Sequence, residues 1–362
     1  MNKKTLMQGN IALCEGAIQA NCVAYFGYPI TPQNEISAYM SKRMPELGRV
    51  FIQSESELSA INMVFGVAVT GKRAMTSSSS PGISLMQEGI SYLAGCELPC
   101  VIANITRGGP GLGNISGSQS DYFQAVKGGG HGDYKMITLA PSTVQEMYDL
   151  TYLSFDLADK YRNPVMILSD GYLGQMMEPI EFRVNSSELI EKNKLRTPNS
   201  ELRTNKDWIL DGCKNREPRK IRSLFMGEGE LEEFNWKLDK KYKEIKNNEI
   251  RFEEYKTEDA YFLIVAFGIS ARICKSTIEM ARKDNIKIGL IRPITLWPFP
   301  EEVIRETAKR VKKIITVEMN LGQMVEDVKL AVNGITPVEF LGKPGGTIFT
   351  PEEIYDYIRK IC

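Results

Sequence analysis

Four short stretches of this 362-residue chain combine side chains that could act on a ligand. Two prolines fix the backbone around Thr31 in the sequence YPITP, and the carboxylate of Glu57 follows the apolar run VFIQ. The serine-rich MTSSSSPG ends at Gly82, where the N-terminus of a helix would offer N–H donors to an anion. Arg107 opens RGGPGLG, and a guanidinium suits two-pronged recognition of a carboxylate. Together these groups fit a cofactor and a small carboxylate substrate.

Each stretch also has a purely structural interpretation. Glu55 and Glu57 both suit the first turn of a helix, where acidic side chains offset the helix dipole, and the serines suit a solvated turn. His131, the only histidine, lies in KGGGHGDYK, where it is a candidate general base or an ordinary loop residue. The sequence has no Walker A lysine, no dinucleotide glycine spacing, no assignable Ser-His-Asp set and no HExxH. A nucleotide-binding dehydrogenase is therefore disfavoured.

Apolar runs alternate with helix-like segments through the first half of the chain. Strands are predicted at 23–26, 50–53, 73–77, 101–105, 136–139 and 165–169. Continuous apolar strands indicate an α/β fold with a parallel sheet covered by helices on both faces. Ligands bind at the carboxyl ends of such strands. One edge of the sheet is therefore expected to hold the loops 28–32, 53–57, 77–82 and 107–113.

The composition changes twice along the chain, which predicts three segments. Residues 1–180 form the α/β domain just described. Residues 181–257 are polar and rich in charge, and they are predicted to be a linker that includes a surface helix near 231–245. Residues 258–362 contain four more apolar runs with helical segments between them, which indicates a second, smaller α/β domain.

The overall composition excludes several classes of function. Lys+Arg and Asp+Glu balance at 45 each, so no net field draws the chain to nucleic acid or to an acidic membrane surface. No apolar run is long enough to span a bilayer and no signal-peptide pattern is present, which predicts a cytoplasmic protein. Seven cysteines without CxxC spacing and a single histidine argue against a metal or iron–sulfur site on this chain.

Four ordered motifs give the chain a family resemblance. FGYPITPQNEI, QSESELSAINMVFG, AMTSSSSPGISLMQEG and NITRGGPGLG together resemble the alpha subunit of the 2-oxoacid:ferredoxin oxidoreductases. The resemblance covers nearly the whole length of the chain. It implies a pyrimidine-type domain of the thiamine diphosphate (TPP) enzymes, followed by a smaller transketolase C-terminal-like domain.

The same resemblance implies roles for individual residues. Glu57 would hydrogen-bond N1′ of the TPP aminopyrimidine ring, and Glu55, two residues away, is the second candidate. Thr31 would lie beside the reacting carbon and contact the substrate, while Arg107 would bind the substrate carboxylate. Further cofactor contacts are implied for Tyr28, Pro29, Ile30, Ser80 and Gly82.

The implied reaction is oxidative decarboxylation of a small 2-oxoacid, in which coenzyme A takes the acyl group and ferredoxin takes the electrons. SDGYLGQ is the fragment nearest to the GDG motif that holds the diphosphate and Mg²⁺ in TPP enzymes, but it lacks the first glycine and the asparagines. A beta subunit is therefore expected to bring Mg²⁺ and the diphosphate half of the site. The 4Fe–4S clusters are expected on partner chains, with gamma and ferredoxin-like delta subunits completing the complex.

Two alternatives remain open at this level. FGYPITPQNE and RGGPGLGN favour 3-methyl-2-oxobutanoate (2-oxoisovalerate) as the substrate. 2-Oxoglutarate is the other candidate, and its distal carboxylate would need a second basic residue, such as Lys127 or Arg73. The alternative from another class is a non-catalytic scaffold with a TPP-like fold. The presence of Glu57, Thr31 and Arg107 together disfavours a scaffold.

Overall fold

The computed structural model describes residues 4–182 and 206–361. Residues 183–205 of the predicted linker lie outside the described residues. The strands within the described ranges are β1 Lys4–Gln8, β2 Ala24–Gly27, β3 Val50–Gln53, β4 Ala74–Ser78, β5 Cys100–Thr106, β6 Ile137–Leu139, β7 Pro164–Asp170, β8 Met177–Glu181, β9 Phe252–Tyr255, β10 Phe262–Val265, β11 Ile288–Pro293, β12 Thr295–Trp297, β13 Lys313–Glu318 and β14 Val338–Gly342.

Helices alternate with these strands through most of the chain. They are α1 Gly9–Gln19, α2 Asn34–Glu46, α3 Glu57–Ala68, α4 Pro81–Gly95, α5 Tyr122–Val126, α6 Val144–Tyr161, α7 Gly171–Gln175, α8 Glu230–Asn248, α9 Gly268–Lys283, α10 Glu301–Ala308, α11 Met324–Val332 and α12 Pro351–Ile361. None of these helices is long and apolar enough to cross a membrane.

The larger sheet has seven strands in the order β12-β6-β7-β5-β4-β2-β3. Every neighbouring pair is parallel except β12 with β6, which is antiparallel. Strands β4, β5 and β7 are buried along their whole length, which explains their continuous apolar sequence. Helix α1 packs on α6, and α3 packs on α4. The predicted α/β fold and all six predicted strands of the first half are confirmed, with ends that shift by one residue.

The smaller sheet has five strands in the order β14-β13-β10-β11-β9. Four of them are the predicted strands of the second half, and they run parallel. The fifth, β9, comes from the predicted linker and pairs antiparallel with β11. The predicted helix near 231–245 corresponds to α8, which buries Leu238, Tyr242 and Ile245. Strands β1 and β8 form a separate antiparallel ribbon.

The side chain of Gln119 joins the two larger sheets. Its amide nitrogen donates to Phe267 O at 2.9 Å, next to the end of β10. Its oxygen accepts from the Ser270 hydroxyl at 2.7 Å and from Met319 N at 3.0 Å. Because Gln119 is buried, these bonds fix the smaller sheet against the chain that follows β5.

Candidate active site

Thr31 lies in the connection from β2 to α2. Side-chain hydrogen bonds hold this connection in addition to the two prolines that flank Thr31. Asn34 donates to the Thr31 hydroxyl at 3.2 Å. The next carbonyl, that of Pro32, accepts from the side chains of Asn10 at 2.9 Å and Gln175 at 3.0 Å. Helices α1 and α7 therefore hold this loop by its backbone, which places the Thr31 side chain at the carboxyl end of β2.

Glu57 begins α3 and is 6% exposed. Ser56 caps the helix by accepting from Ser59 N. The Glu57 carboxylate accepts from the Ser78 hydroxyl at 2.9 Å, at the end of β4. A Cβ added at Gly82 would overlap both Ser78 Oγ and Glu57 Oε1. Glycine at position 82 therefore allows the start of α4 to pack closely against the Ser78–Glu57 pair.

Ser80, just before α4, is bonded to the end of β5. Its φ of 21° is unusual for a residue other than glycine, and its N–H donates to Asn104 Oδ1 at 3.1 Å. The Ser80 hydroxyl accepts from Arg107 N at 3.0 Å. Asn104 is itself held, because its amide donates to Asp121 at 2.9 Å. Burial raises the pKa of Asp121, while hydrogen bonds from Ser80 and Asn104 oppose that rise.

Arg107 is almost fully buried and ties two loops together. Its Nη1 donates to Thr31 O at 2.9 Å, and its Nη2 donates to Leu112 O at 3.0 Å. Its Nε lies buried without a hydrogen-bond partner in the described part of the chain. The guanidinium therefore positions the Thr31 segment, and it still has donors that no described residue uses.

The glycine-rich loop after Arg107 folds back on itself. Gly108 N donates to Ser116 O at 2.9 Å, and Asn114 N donates to Gly108 O at 2.9 Å. Asn114 also donates to Gly345 O at 2.8 Å, so the second half of the chain contacts this loop. Leu112, which is 82% exposed, and Ile115 stand out from its surface. Exposed apolar side chains beside a candidate site are typical of an interaction surface.

The parallel order β5-β4-β2-β3 thus brings the four predicted loops to one edge. The groups that converge there are a buried carboxylate, a threonine hydroxyl, a buried guanidinium and small polar side chains. Such a set can hold a ring nitrogen at the carboxylate and an anion near the guanidinium. The described residues contain no cluster of histidine, cysteine or acidic side chains suited to a metal ion.

Two family models match the chain. Residues 15–244 match a model described as pyruvate flavodoxin/ferredoxin oxidoreductase, thiamine diphosphate binding, and residues 260–354 match the core domain II of pyruvate:ferredoxin oxidoreductase. The ketoisovalerate oxidoreductase subunit VorB of Methanothermobacter marburgensis is 51% identical, over 98% of this chain and 96% of its own length. The chain belongs to the 2-oxoacid:ferredoxin oxidoreductase family.

Two further similarities come from the same family. The 2-oxoglutarate synthase subunit KorA of Methanothermobacter thermautotrophicus is 37% identical, over the full length of both chains. The structure of 2-oxoglutarate:ferredoxin oxidoreductase from Magnetococcus marinus, with 2-oxoglutarate, coenzyme A and succinyl-CoA bound, has a TM-score of 0.85 and 26% identity. This chain spans 65% of that one. The predicted family, fold and enzyme class are confirmed: the chain is an oxidoreductase subunit.

Two other candidates differ in position from Glu57 and Arg107: Glu55 lies in the 53–57 loop at the same edge, and Arg73 lies at the opposite end of the strands. Glu55 is exposed and accepts from the Ser59 hydroxyl at 3.1 Å. Arg73 precedes β4 at the opposite end of the strand, where it pairs with Asp156 and Asp159. Two carboxylates hold Arg73 at the amino ends of the strands, away from Glu57 and Arg107.

Two loop residues also fall outside this edge. Lys127 follows α5 and forms an ion pair with Asp327 on α11. His131 lies on an exposed loop, where it makes an edge contact with Tyr92 at 6.4 Å between ring centroids. Neither residue contacts Glu57, Thr31 or Arg107.

The motif SDGYLGQ has a structural role in this family member. Asp170 caps α7 by accepting from Tyr172 N at 2.9 Å and Leu173 N at 3.1 Å. Burial raises the pKa of Asp170 to about 6, although these backbone N–H groups oppose the rise. A carboxylate whose oxygen already accepts two helix N–H bonds is poorly placed to bind Mg²⁺.

Ser78, Asn104 and Asp121 are site residues that inspection of the motifs did not identify. Ser78 was hidden within a run of four serines. Asn104 is a polar residue inside a fully buried strand, and that placement is a usable signal because buried amides need partners. Asp121 lies 17 residues from the amide that it binds, so no local pattern could have found it.

Proposed function

We propose that this chain is the alpha-type subunit of a TPP-dependent 2-oxoacid:ferredoxin oxidoreductase that acts on 3-methyl-2-oxobutanoate. The observation that carries the choice of substrate is the 51% identity to a ketoisovalerate oxidoreductase subunit over nearly the full length of both chains, against 37% to a 2-oxoglutarate synthase subunit. The products are carbon dioxide, the branched acyl-CoA and reduced ferredoxin.

The residues around Glu57 fit the aminopyrimidine half of TPP. Its buried carboxylate is bonded only by Ser78 within the described residues, through Oε1, and Gly82 packs closely against this pair. A carboxyl group in this setting can hydrogen-bond a ring nitrogen and hold a proton there. When bound, TPP supplies a nucleophilic carbon and an electron sink, which this chain's side chains do not offer. Tyr28–Ile30, Ser80 and Gly82 would line the ring.

Arg107 and Thr31 suit the substrate end of the site. The free N–H donors of Arg107 can bind the carboxylate that leaves as carbon dioxide, and its bond to Thr31 O keeps the threonine beside it. Neither Arg73 nor Lys127, the two cations considered for a second carboxylate, reaches this edge. An uncharged branched side chain therefore fits better than the charged chain of 2-oxoglutarate.

Other parts of the holoenzyme belong to partner chains in this proposal. A beta subunit carries the diphosphate and Mg²⁺ half of the TPP site, because Asp170 serves as a helix cap here. Gamma and ferredoxin-like delta subunits complete the complex, with the 4Fe–4S clusters on partner chains. Among the residues that the structure describes, five cysteines are buried and unpaired, and Cys213 is exposed. The complex works in the cytoplasm with ferredoxin and coenzyme A.

We also propose a division of the chain into two domains and a linker, although the first family model, over residues 15–244, extends through most of that linker. Residues 1–180 would form the pyrimidine-type domain and residues 258–362 the transketolase C-terminal-like domain, with 181–257 between them. The second model begins at residue 260, close to the proposed start of the second domain.

A panel of 2-oxoacids tests the proposed substrate. The complex purified from its host is assayed for coenzyme A-dependent ferredoxin reduction with 3-methyl-2-oxobutanoate, 2-oxoglutarate and pyruvate. We expect kcat/KM for the branched substrate to exceed that for 2-oxoglutarate by at least about a hundredfold, since a site without a second cation leaves a charge unpaired. A preference for 2-oxoglutarate would reassign the substrate. If the complex turned over none of these 2-oxoacids, the alternative of a non-catalytic scaffold would stand instead.

A further inference from the structure

The side chain of Asp121 is bonded to the candidate active site and not to its own helix. Asp121 occupies the N-cap position of α5, where an aspartate usually accepts an N–H from the first turn. Its carboxylate makes no such bond. It accepts instead from the Asn104 side chain at 2.9 Å and from the Ser80 hydroxyl. This carboxylate therefore connects α5 to the ends of β4 and β5.

Ser80 shows the same departure at the start of α4. It is the N-cap residue of α4, yet its side chain does not cap the helix. Its backbone has φ 21° and ψ −78°, a sparsely populated conformation that surrounding contacts must hold. Its N–H donates to Asn104 Oδ1 at 3.1 Å, and its hydroxyl bonds the Arg107 backbone and Asp121. Asn104 and Asp121 therefore hold Ser80 in this conformation.

The position of Ser80 determines how α4 meets Glu57. Gly82 lies two residues further along, packed so closely on the Ser78–Glu57 pair that a Cβ there would overlap Glu57 Oε1. The Ser80 hydroxyl also accepts from Arg107 N at 3.0 Å. A shift of Ser80 would therefore displace two groups, the carboxylate assigned to the cofactor ring and the guanidinium assigned to the substrate.

Among the described residues, no cation pairs with Asp121. Burial raises the pKa of its carboxyl group, and the hydrogen bonds from Ser80 and Asn104 oppose that rise. A partly buried carboxylate needs such donors, because burying a charge without partners is costly. Asp121, Asn104 and Ser80 therefore depend on one another, and a change in one should displace the others.

The backbone on both sides of Asp121 is held by the second half of the chain. Ser120 O accepts from the Gln323 side chain at 2.7 Å, and Gln323 Oε1 accepts from Phe123 N at 2.8 Å. Gln323 directly precedes α11, and the buried carboxylate of Glu318, at the end of β13, accepts from the first backbone N–H groups of that helix. A continuous series of hydrogen bonds thus leads from β13 to Asp121.

We propose that Asp121 is a positioning residue for the candidate active site, through which the second half of the chain fixes Ser80 and the start of α4 against Glu57. The inference rests on the proposed function, since it takes TPP as the cofactor that this edge receives. In this role Asp121 acts through Asn104 and Ser80 and does not touch the cofactor. It holds both residues in one arrangement before TPP binds, so that binding does not have to order them.

Calorimetric titration of TPP into the purified complex, after removal of its cofactor and with Mg²⁺ present, tests this role. Asp121→Asn keeps the size of the side chain but replaces one acceptor oxygen by a donor. We expect the Kd for TPP to rise about tenfold, while the number of TPP sites per complex stays the same. A variant that only unfolds would lose sites, and its remaining sites would bind TPP normally.

A pair of buried asparagines separates positioning from stability. Asn104→Ala should raise the Kd for TPP by a similar factor, because Ser80 N and Asp121 lose their partner. Asn163→Ala is the matched control, since Asn163 is also fully buried but donates to Lys135 O and Pro164 O at the amino end of β7. It should lower the melting temperature and leave the Kd for TPP unchanged.

Gln323→Ala tests the connection to the second half of the chain. It should raise the Kd for TPP by about threefold. Adding it to Asp121→Asn should raise the Kd no further, since residues in one network are not additive. Full additivity, an unchanged Kd in Asp121→Asn, or an equal rise in Asn163→Ala would overturn the inference. A wild-type complex that bound no TPP would overturn the proposed function, and this inference with it.

Discussion

The two ends of the seven-stranded sheet present different surfaces to a ligand. Around β4, β2 and β3, the polar groups of Glu57 and Arg107 are buried and bonded to small neighbours, while Leu112 stands exposed beside them. Around β6 and β12, large aromatic rings and lysines enclose a cavity. The first arrangement accords with a site that another chain completes. The second is an open cavity in which most lysines have acidic neighbours, such as Lys243 with Asp239 and Lys127 with Asp327.

Glu57→Gln should produce the largest effect. It distinguishes a catalytic role of the Glu57 carboxyl group from a role in stabilising the fold. Glutamine can still accept from Ser78, so the fold should keep its melting temperature. Loss of the ionisable group should lower kcat on the order of a thousandfold, because proton transfer at the cofactor ring depends on it. The measurement is ferredoxin reduction by the assembled complex at saturating TPP. Normal turnover would transfer the role to Glu55 or refute it.

Arg107→Ala should raise KM for the 2-oxoacid by roughly thirtyfold, since a charge-assisted contact to the carboxylate is lost. TPP affinity should stay the same. The melting temperature should fall, because Thr31 O and Leu112 O lose their donor. Steady-state kinetics and TPP calorimetry on the complex provide the test. An unchanged KM with a lowered melting temperature would leave Arg107 as a structural tether only.

The variants Gly82→Ala and Gly66→Ala compare a glycine packed against the candidate site with a glycine elsewhere in α3. A methyl group at position 82 would press on Ser78 and Glu57, which should lower the free energy of unfolding by about 1–3 kcal/mol and reduce turnover. Gly66→Ala is the control, because a Cβ at Gly66 in α3 meets no atom within 4 Å. It should stabilise the protein by about 0.5–1 kcal/mol through helix propensity. Thermal unfolding of both variants, together with turnover, checks the contrast. If Gly82→Ala changed neither stability nor turnover, the Glu57 carboxylate would be able to shift without loss of function.

Asp170→Asn should have the smallest effect, and it depends on pH. The pKa of Asp170 is raised to about 6, above its ordinary value of 3.8, so the folded state holds this proton more tightly than the unfolded state. Stability of the wild type should therefore fall as the pH rises through this interval. Asparagine still caps α7 but does not titrate. The variant should gain a few degrees in melting temperature relative to wild type between pH 5 and 7.5. A difference in melting temperature between variant and wild type that does not change with pH would contradict the raised pKa of Asp170.

Much of the fold could be predicted from local patterns. Five of the six strands of the first half were readable because a parallel sheet buried on both faces needs continuous apolar runs. The sixth, β3, has an apolar run although it is a largely exposed edge strand. Their parallel order then placed Thr31, Glu57, Ser80 and Arg107 on one edge without any knowledge of contacts. In the second half, β12 could not be predicted in this way. The sequence IRPITLW looks like a single apolar run, but the chain leaves the smaller sheet after Pro293 and joins the larger sheet as β12.

The site chemistry was less readable, because it depends on contacts between distant residues. The identity of Arg107 suggested a free carboxylate ligand, yet its guanidinium is partly used by the carbonyls of Thr31 and Leu112. Asp170 resembled a fragment of a metal motif, but it caps a helix. The lysines around Trp236 come from two segments about a hundred residues apart, so the sequence alone could not bring them together.

The central claim is that Glu57 supplies one half of a TPP site whose other half lies on a partner chain. The most direct test is a cryo-electron microscopy structure of the purified complex with TPP bound. We predict a carboxylate oxygen of Glu57 within about 3 Å of N1′ of the aminopyrimidine ring, and the diphosphate with its Mg²⁺ on a partner subunit. A cofactor held entirely by this chain, or one bound away from Glu57, would contradict the account.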